Sequence, residues 1–158
     1  MVSIIKGAAA AAAAGTTFVT KTSDESVTSS TTVQDDDHLT FTMVANKIYA
    51  ISGCLLVDSG TTPDFKYALD LAGSSTSDIH TTHLTTGAGS SNYEYQESEA
   101  ISIAGWGAGT PALTSLFTGI AKADGSGGAL TLQWAQNTSN GTASKLLTGS
   151  WISYTLLN

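Results

Sequence analysis

The densest run of potential chemistry in this 158-residue chain is Asp35-Asp36-Asp37-His38. Carboxylates beside an imidazole can hold a divalent cation or share acid–base work. Their spacing argues against both. On an extended chain neighbouring side chains point to opposite faces, so three successive aspartates cannot converge on one ion. Calcium loops place their oxygens at alternate positions for that reason. The run offers at most Asp35, Asp37 and His38 as weak metal candidates. The reading the spacing favours is a solvated acidic turn feeding a strand, with no resident metal or cofactor.

The remaining candidates are thinner still. His80 and His83 in "HTTH" are three apart, a spacing that shares a face on a helix, but their threonine-rich surroundings oppose a helix. A zinc site from these two and His38 has no motif behind it. Cys54, the single cysteine, lies in apolar "ISGCLLV" and reads as a buried thiol behaving as a small hydrophobe. No GxSxG elbow frames any serine. Glu94, Glu97 and Glu99 carry no spacing that marks a glycosidase pair, because the fold alone sets their separation. Asn137 and Asn140 match the glycosylation pattern and also suit turns. The expectation is a protein that is not an enzyme, with no catalytic residues.

The frame that would position such residues is written in the composition. Thr (24), Ala (21), Ser (20) and Gly (16) make about half of the chain, and only 12% is charged. Thr-rich segments between short Gly/Ser turns suit strands, whereas amphipathic helices would need more Glu, Lys, Gln and Leu. Net charge is −7, with six lysines and no arginine. Without the arginine fork, nucleic acid is an unsuitable partner, and the acidity disfavours anionic lipid.

Alternation places the strands. Leu39, Phe41 and Met43 share one face, and "KIYAISGCLLVD" follows after a break, so the two segments read as a hairpin. Gly53 interrupts the second as a bulge or crowded point. Phe65, Tyr67, Leu69 and Leu71 alternate against Lys66, Ala68 and Asp70. Residues 73–92 read as a long surface excursion with a short strand near Ile79–Leu84. "DGSGG" at 124–128 is a turn. Leu130, Leu132 and Trp134 then share a core face, while Trp106 in "GWGAG" is the tryptophan expected at the surface. These segments predict an all-β, eight- to nine-stranded sandwich, jelly-roll-like, over residues 16–158. Residues 1–15, with seven consecutive alanines, read either as an N-terminal arm that orders against a partner or a neighbouring subunit, or as a frayed tail; as an export signal the stretch is weak.

Two stretches, "ESVTSSTTVQDDDHLTF" with "YAISGCLLVD", and "GGALTLQWAQNTSNGTASKLLTGSW", resemble a recurring module in small structural proteins of tailed bacteriophages. The resemblance spans residues 18–155 and is weakest over 73–92; the alanine-rich arm has no counterpart in it. It implies a β-sandwich used as a head decoration (cement) protein or in fibres, often trimeric, and brings no enzymatic residues. The implied partners are the major capsid protein and further copies of the chain as a homotrimer. The implied location is the outer surface of the virion head, after synthesis in the host cytoplasm. The alternative under the same resemblance is a fibre or receptor-binding module for a host glycan or protein. Absence of heptads for a stalk favours decoration. Ile4, Ile5, Ala10 and Trp106 are the expected interaction surface.

Overall fold

The computed structural model describes residues 15–60, 62–84, 93–97 and 113–158, with the backbone alone for 79–84, 93–97 and 113. The all-β sandwich read from composition is what the chain forms. The described residues hold eleven strands, two of them only three residues long, so the sequence count of eight to nine falls short. They are β1 (Thr17–Thr20), β2 (Glu25–Val27), β3 (Gln34–Met43), β4 (Ile48–Ser59), β5 (Lys66–Leu71) and β6 (Thr76–Leu84), then β7 (Tyr93–Glu97), β8 (Leu113–Lys122), β9 (Gly128–Ala135), β10 (Ser144–Leu146) and β11 (Trp151–Leu156).

The large sheet runs β1-β11-β4-β8-β6-β7, with β10 pairing both β2 and β4; the small sheet is β3-β9-β5. All these pairings are antiparallel. β3 and β4 do not form the expected hairpin. β3 pairs β9 in one sheet while β4 pairs β8 and β11 in the other. Both strands carry an inward apolar face, and the short link 44–47 buries both faces best by crossing between layers rather than turning back within one. Residues 76–84, expected as loop with one short strand, form a nine-residue strand between β8 and β7. Its Thr/Ser content matches strand chemistry better than its low hydrophobicity suggests.

The core lies between the sheets. Leu39, Phe41 and Met43 from β3, Tyr67 and Leu69 from β5, and Leu130, Leu132 and Trp134 from β9 are buried. From the facing sheet come Tyr49, Ile51, Leu55, Val57, Phe117 and Ile152. Rings join the layers: Phe41 stacks on Tyr154 at 4.0 Å between centroids and meets Tyr49 edge-on, and Tyr67 leans on Phe117. β4 alternates without a register break, so Gly53 is a crowded point and not a bulge. A Cβ there would fall 2.2 Å from the Phe117 ring.

Three links cross between sheets and meet at one end: 44–47, 72–75 and 123–127. Asp124 ties them together. Its Oδ2 accepts the Ser74 N–H (2.8 Å), and its Oδ1 accepts the N–H groups of Ser126 (2.8 Å) and Gly127 (2.9 Å). Its own N–H donates to Ser75 Oγ, and its carbonyl accepts the Asn46 N–H at 2.8 Å. These donors, the Ser74 amide foremost, hold the Asp124 carboxyl below the usual 3.8. The "DGSGG" turn is thus the clamp of that end.

Candidate functional site

At one flank of the sandwich the edges of the two sheets meet. β1 is the edge of the large sheet and β3 the edge of the small one. The residue after β1, Lys21, is fixed through its backbone: its N–H donates to Ser150 O (2.8 Å) and its carbonyl accepts the Gly149 N–H (3.0 Å). Its side chain turns inward and is fully buried.

Opposite it lies the acidic run, which is part of β3 and not the solvated turn expected. Asp35 is in register with Gln133 and Thr40 with Thr131, so four residues of β3 face a single residue of β9. This bulge carries Asp36, Asp37, His38 and Leu39 and bends the strand locally. Within it Asp36 points inward and is buried, while Asp35 and Asp37 are exposed.

Asp36 is fully partnered. Oδ2 accepts from Lys21 Nζ at 2.6 Å, and Oδ1 accepts the backbone N–H groups of His38 (3.0 Å) and Leu39 (2.8 Å). Glu25, at the start of β2, completes the group. Its Oε1 lies 2.7 Å from Lys21 Nζ and accepts the Asp37 N–H at 3.2 Å. His38 Nδ1 is buried 3.7 Å from the same oxygen, beyond hydrogen-bond length.

Glu25, Asp36 and His38 bring ligand atoms within 4.8 Å of one another, a spacing a metal ion could use. The Lys21 ammonium already sits between the two carboxylates. A divalent ion drawing on the same oxygens would have to displace it, so the cluster carries its own cation. What the arrangement presents is a buried primary amine 2.6 Å from a carboxyl oxygen, with a second carboxylate 2.7 Å from the amine and within 4.8 Å of the first.

The residues named from sequence are placed differently. Of the metal candidates, only His38 belongs to the cluster; Asp35 instead accepts from Gln133 Nε2 at 2.8 Å, and the Asp37 carboxylate is exposed. Ile4, Ile5, Ala10, Trp106 and Glu99 lie outside the described residues. His80 and His83 occupy β6 positions opposite Thr118 and Ser115, and Glu94 and Glu97 belong to β7. Cys54 is half-buried, and burial pushes its thiol up, away from an activated nucleophile. Asn140 works as turn chemistry, accepting the Thr142 N–H at 2.8 Å on its side chain. Trp134 is core, as its alternation indicated.

Sequence reasoning missed Lys21, Glu25 and Asp36. The signal for Asp36 was present: if Asp35 and Asp37 share an outward face, the residue between them faces in. Nothing marks Lys21 among six lysines until β1 is placed beside β3.

No family model matches the chain, and searches of curated proteins and of solved structures return no similar protein.

A second feature lies on the outer face of the large sheet. Trp151, Cys54 and Leu116 are direct cross-strand neighbours on β11, β4 and β8. Phe18 of β1 packs edge-on against Trp151 at 5.3 Å between centroids. Phe18 and Leu116 are 59% and 38% exposed. Among the described residues the small sheet shows nothing comparable; its outer face carries Thr40, Thr42, Thr131 and Gln133, with Thr40 and Thr131 hydroxyls bonded at 2.8 Å.

Proposed function

We propose that this protein is a non-enzymatic structural component of a tailed-phage virion, a decoration or cement protein that binds the outside of the head as a homotrimer and bridges major capsid subunits. The observation that carries the proposal is the asymmetry of the sandwich. One outer face is hydroxyl-rich and wet, and the other holds a continuous row of Phe18, Trp151, Cys54 and Leu116. Exposed apolar rows of this kind suit protein contacts, and aromatic anchors dominate such contacts. Two further features support the reading. The motif resemblance to phage structural modules is one. The other is a frame with interlocked loops and few charges, which suits a durable surface module.

Two measurements test it. Purified particles should contain the chain at a fixed, high ratio to the major capsid protein, and particles lacking it should break at lower temperature. Its absence from purified particles would overturn the proposal. Phe18→Ser and Leu116→Ser should weaken binding of the purified protein to undecorated shells while circular dichroism stays unchanged. Undiminished binding would remove the apolar row as the contact surface. Saturable binding to host cells with none to shells would favour a receptor-binding role instead.

A further inference from the structure

The geometry points to a covalent bond. Lys21 and Asp36 are joined by an intramolecular amide, made by the chain itself with Glu25 as the acid–base catalyst. The inference stands on this cluster alone and does not rest on the virion reading.

Each requirement for amide formation is met by a named group. The nucleophile is Lys21 Nζ, fully buried and 2.6 Å from the Asp36 carboxyl oxygen Oδ2. Fixing amine and carboxyl within one buried site replaces a bimolecular encounter with a local step. The developing oxyanion has its donors in place: Asp36 Oδ1 already accepts the N–H groups of His38 and Leu39 at 3.0 and 2.8 Å. Preorganised backbone donors at the oxygen that gains charge are the usual device for acyl transfer. The proton carrier is Glu25, whose Oε1 is 2.7 Å from Nζ and is held by the Asp37 N–H. The β3 bulge creates this arrangement, because it turns Asp36 inward and its next two backbone N–H groups toward the same carboxyl.

The atoms balance without an oxidant or a co-reactant. A proton passes from the Lys21 ammonium to Asp36 Oδ2, leaving a free amine and a carboxylic acid. The amine lone pair attacks Cγ, and the carbonyl π pair moves onto Oδ1. Glu25 takes a proton from the attacking nitrogen and delivers it to Oδ2. The Cγ–Oδ2 bond breaks, one water leaves, and the pair on Oδ1 restores the carbonyl. Glu25 ends as it began. Two buried charges disappear, which lifts the desolvation cost of the ion pair. The product amide leaves no polar atom stranded: its oxygen keeps the His38 and Leu39 donors, and its N–H keeps Glu25.

Such a bond would staple the edge strand of the large sheet to the edge strand of the small one. That flank is where a sandwich opens most easily, since edge strands are paired on one side only.

The test is the mass of the purified full-length chain under denaturing conditions. The proposal expects a value one water below the sequence mass, and a proteolytic digest containing a branched peptide that joins Lys21 to Asp36. Glu25→Gln, which keeps the side-chain shape and removes the proton carrier, should retain the full mass or lose water far more slowly. The wild-type readout needs no variant to fold. A folded wild-type chain that keeps its full sequence mass after prolonged incubation overturns the proposal. So does a water loss mapping elsewhere, such as Asp124–Gly125, where an aspartyl–glycyl pair can cyclise. A Glu25→Gln chain that cross-links at the wild-type rate overturns the role given to Glu25.

Discussion

Asp36 and Asp124 do similar work in opposite surroundings. Each binds backbone N–H groups and ties together segments far apart in sequence. Asp36 is buried at the flank, and until the amide forms the Lys21 cation balances its charge. Asp124 stands in the loops at one end, accepts three N–H groups and has no ion-pair partner among the described residues. A buried carboxylate must be neutralised, because low dielectric penalises a lone charge severely. A solvated one can serve through hydrogen bonds alone. Breaking the two sites should therefore have unequal consequences.

The largest effect should follow Lys21→Met. It leaves Asp36 buried without its counter-charge, and removal of one partner from a buried pair costs about 3–5 kcal/mol. Urea unfolding followed by tryptophan fluorescence would measure it. Adding Asp36→Asn to Lys21→Met should recover part of the loss, since the amide keeps an acceptor for the His38 and Leu39 amides without a charge. A double variant no more stable than Lys21→Met would show that the charge was not what made the single substitution costly.

At the loop end, the largest loss should follow Gly127→Ala. Gly127 has φ +68°, and a Cβ there would lie 2.6 Å from Met43 O and 2.8 Å from Ala45 N. Backbone cannot yield as a side-chain tip can, so about 1–3 kcal/mol is expected from strain and clash together. Equilibrium denaturation should show the change without loss of cooperativity.

Asp124→Asn comes next, and its signature is in pH. The Asp124 carboxyl is held below 3.8 in the folded protein by the Ser74, Ser126 and Gly127 amides. A depressed folded value means the carboxylate stabilises the fold fully above the unfolded value. That stabilisation is lost as pH falls through the folded value. Thermal melts from neutral pH down through 3.8 and below should show a falling Tm in the acid range, with a shallower fall in Asp124→Asn. Asp24, lowered by the Thr148 backbone amide first and its hydroxyl second, adds to the same acid limb in both chains. Asp64, raised by desolvation, acts with the opposite sign. The difference between wild type and variant isolates Asp124. Parallel curves would remove it as the clamp of that end.

The layer architecture was legible because alternation is a local property. Phe65-Lys66-Tyr67-Ala68-Leu69 or Leu130-Thr131-Leu132-Gln133-Trp134 declare their faces without knowledge of their partners. Which strand pairs which is a long-range matter, and there the reading failed. "LTFTM" and "KIYAISGCLLVD" are adjacent and both amphipathic, yet belong to different sheets, and nothing within either run distinguishes a hairpin from a crossing. The cluster was hidden for the same reason. Lys21 and Asp36 are fifteen residues apart, on segments whose meeting depends on two sheet edges coming together. β6 was underestimated because its hydroxyl-rich residues resemble a loop in hydropathy while their branched threonines favour strand.

The smallest expected effect is also the sharpest probe of the acidic run. Asp35→Ala and Asp37→Ala should each change stability by no more than about 0.5 kcal/mol, the range of ordinary surface substitutions. Asp35 loses an exposed bond to Gln133, and Asp37 contributes its backbone N–H, not its carboxylate, to Glu25. Asp36→Ala between them strands two backbone N–H groups and leaves the buried Lys21 ammonium with Glu25 alone, and should approach the Lys21→Met loss. Three neighbouring aspartates replaced one at a time, with unfolding free energies read side by side, thus report the pleat of the bulge directly. If the central variant proved as mild as its neighbours, Lys21 would be finding compensation from Glu25 alone. If an outer one proved severe, the bulge would sit in a different register, with another carboxylate facing in.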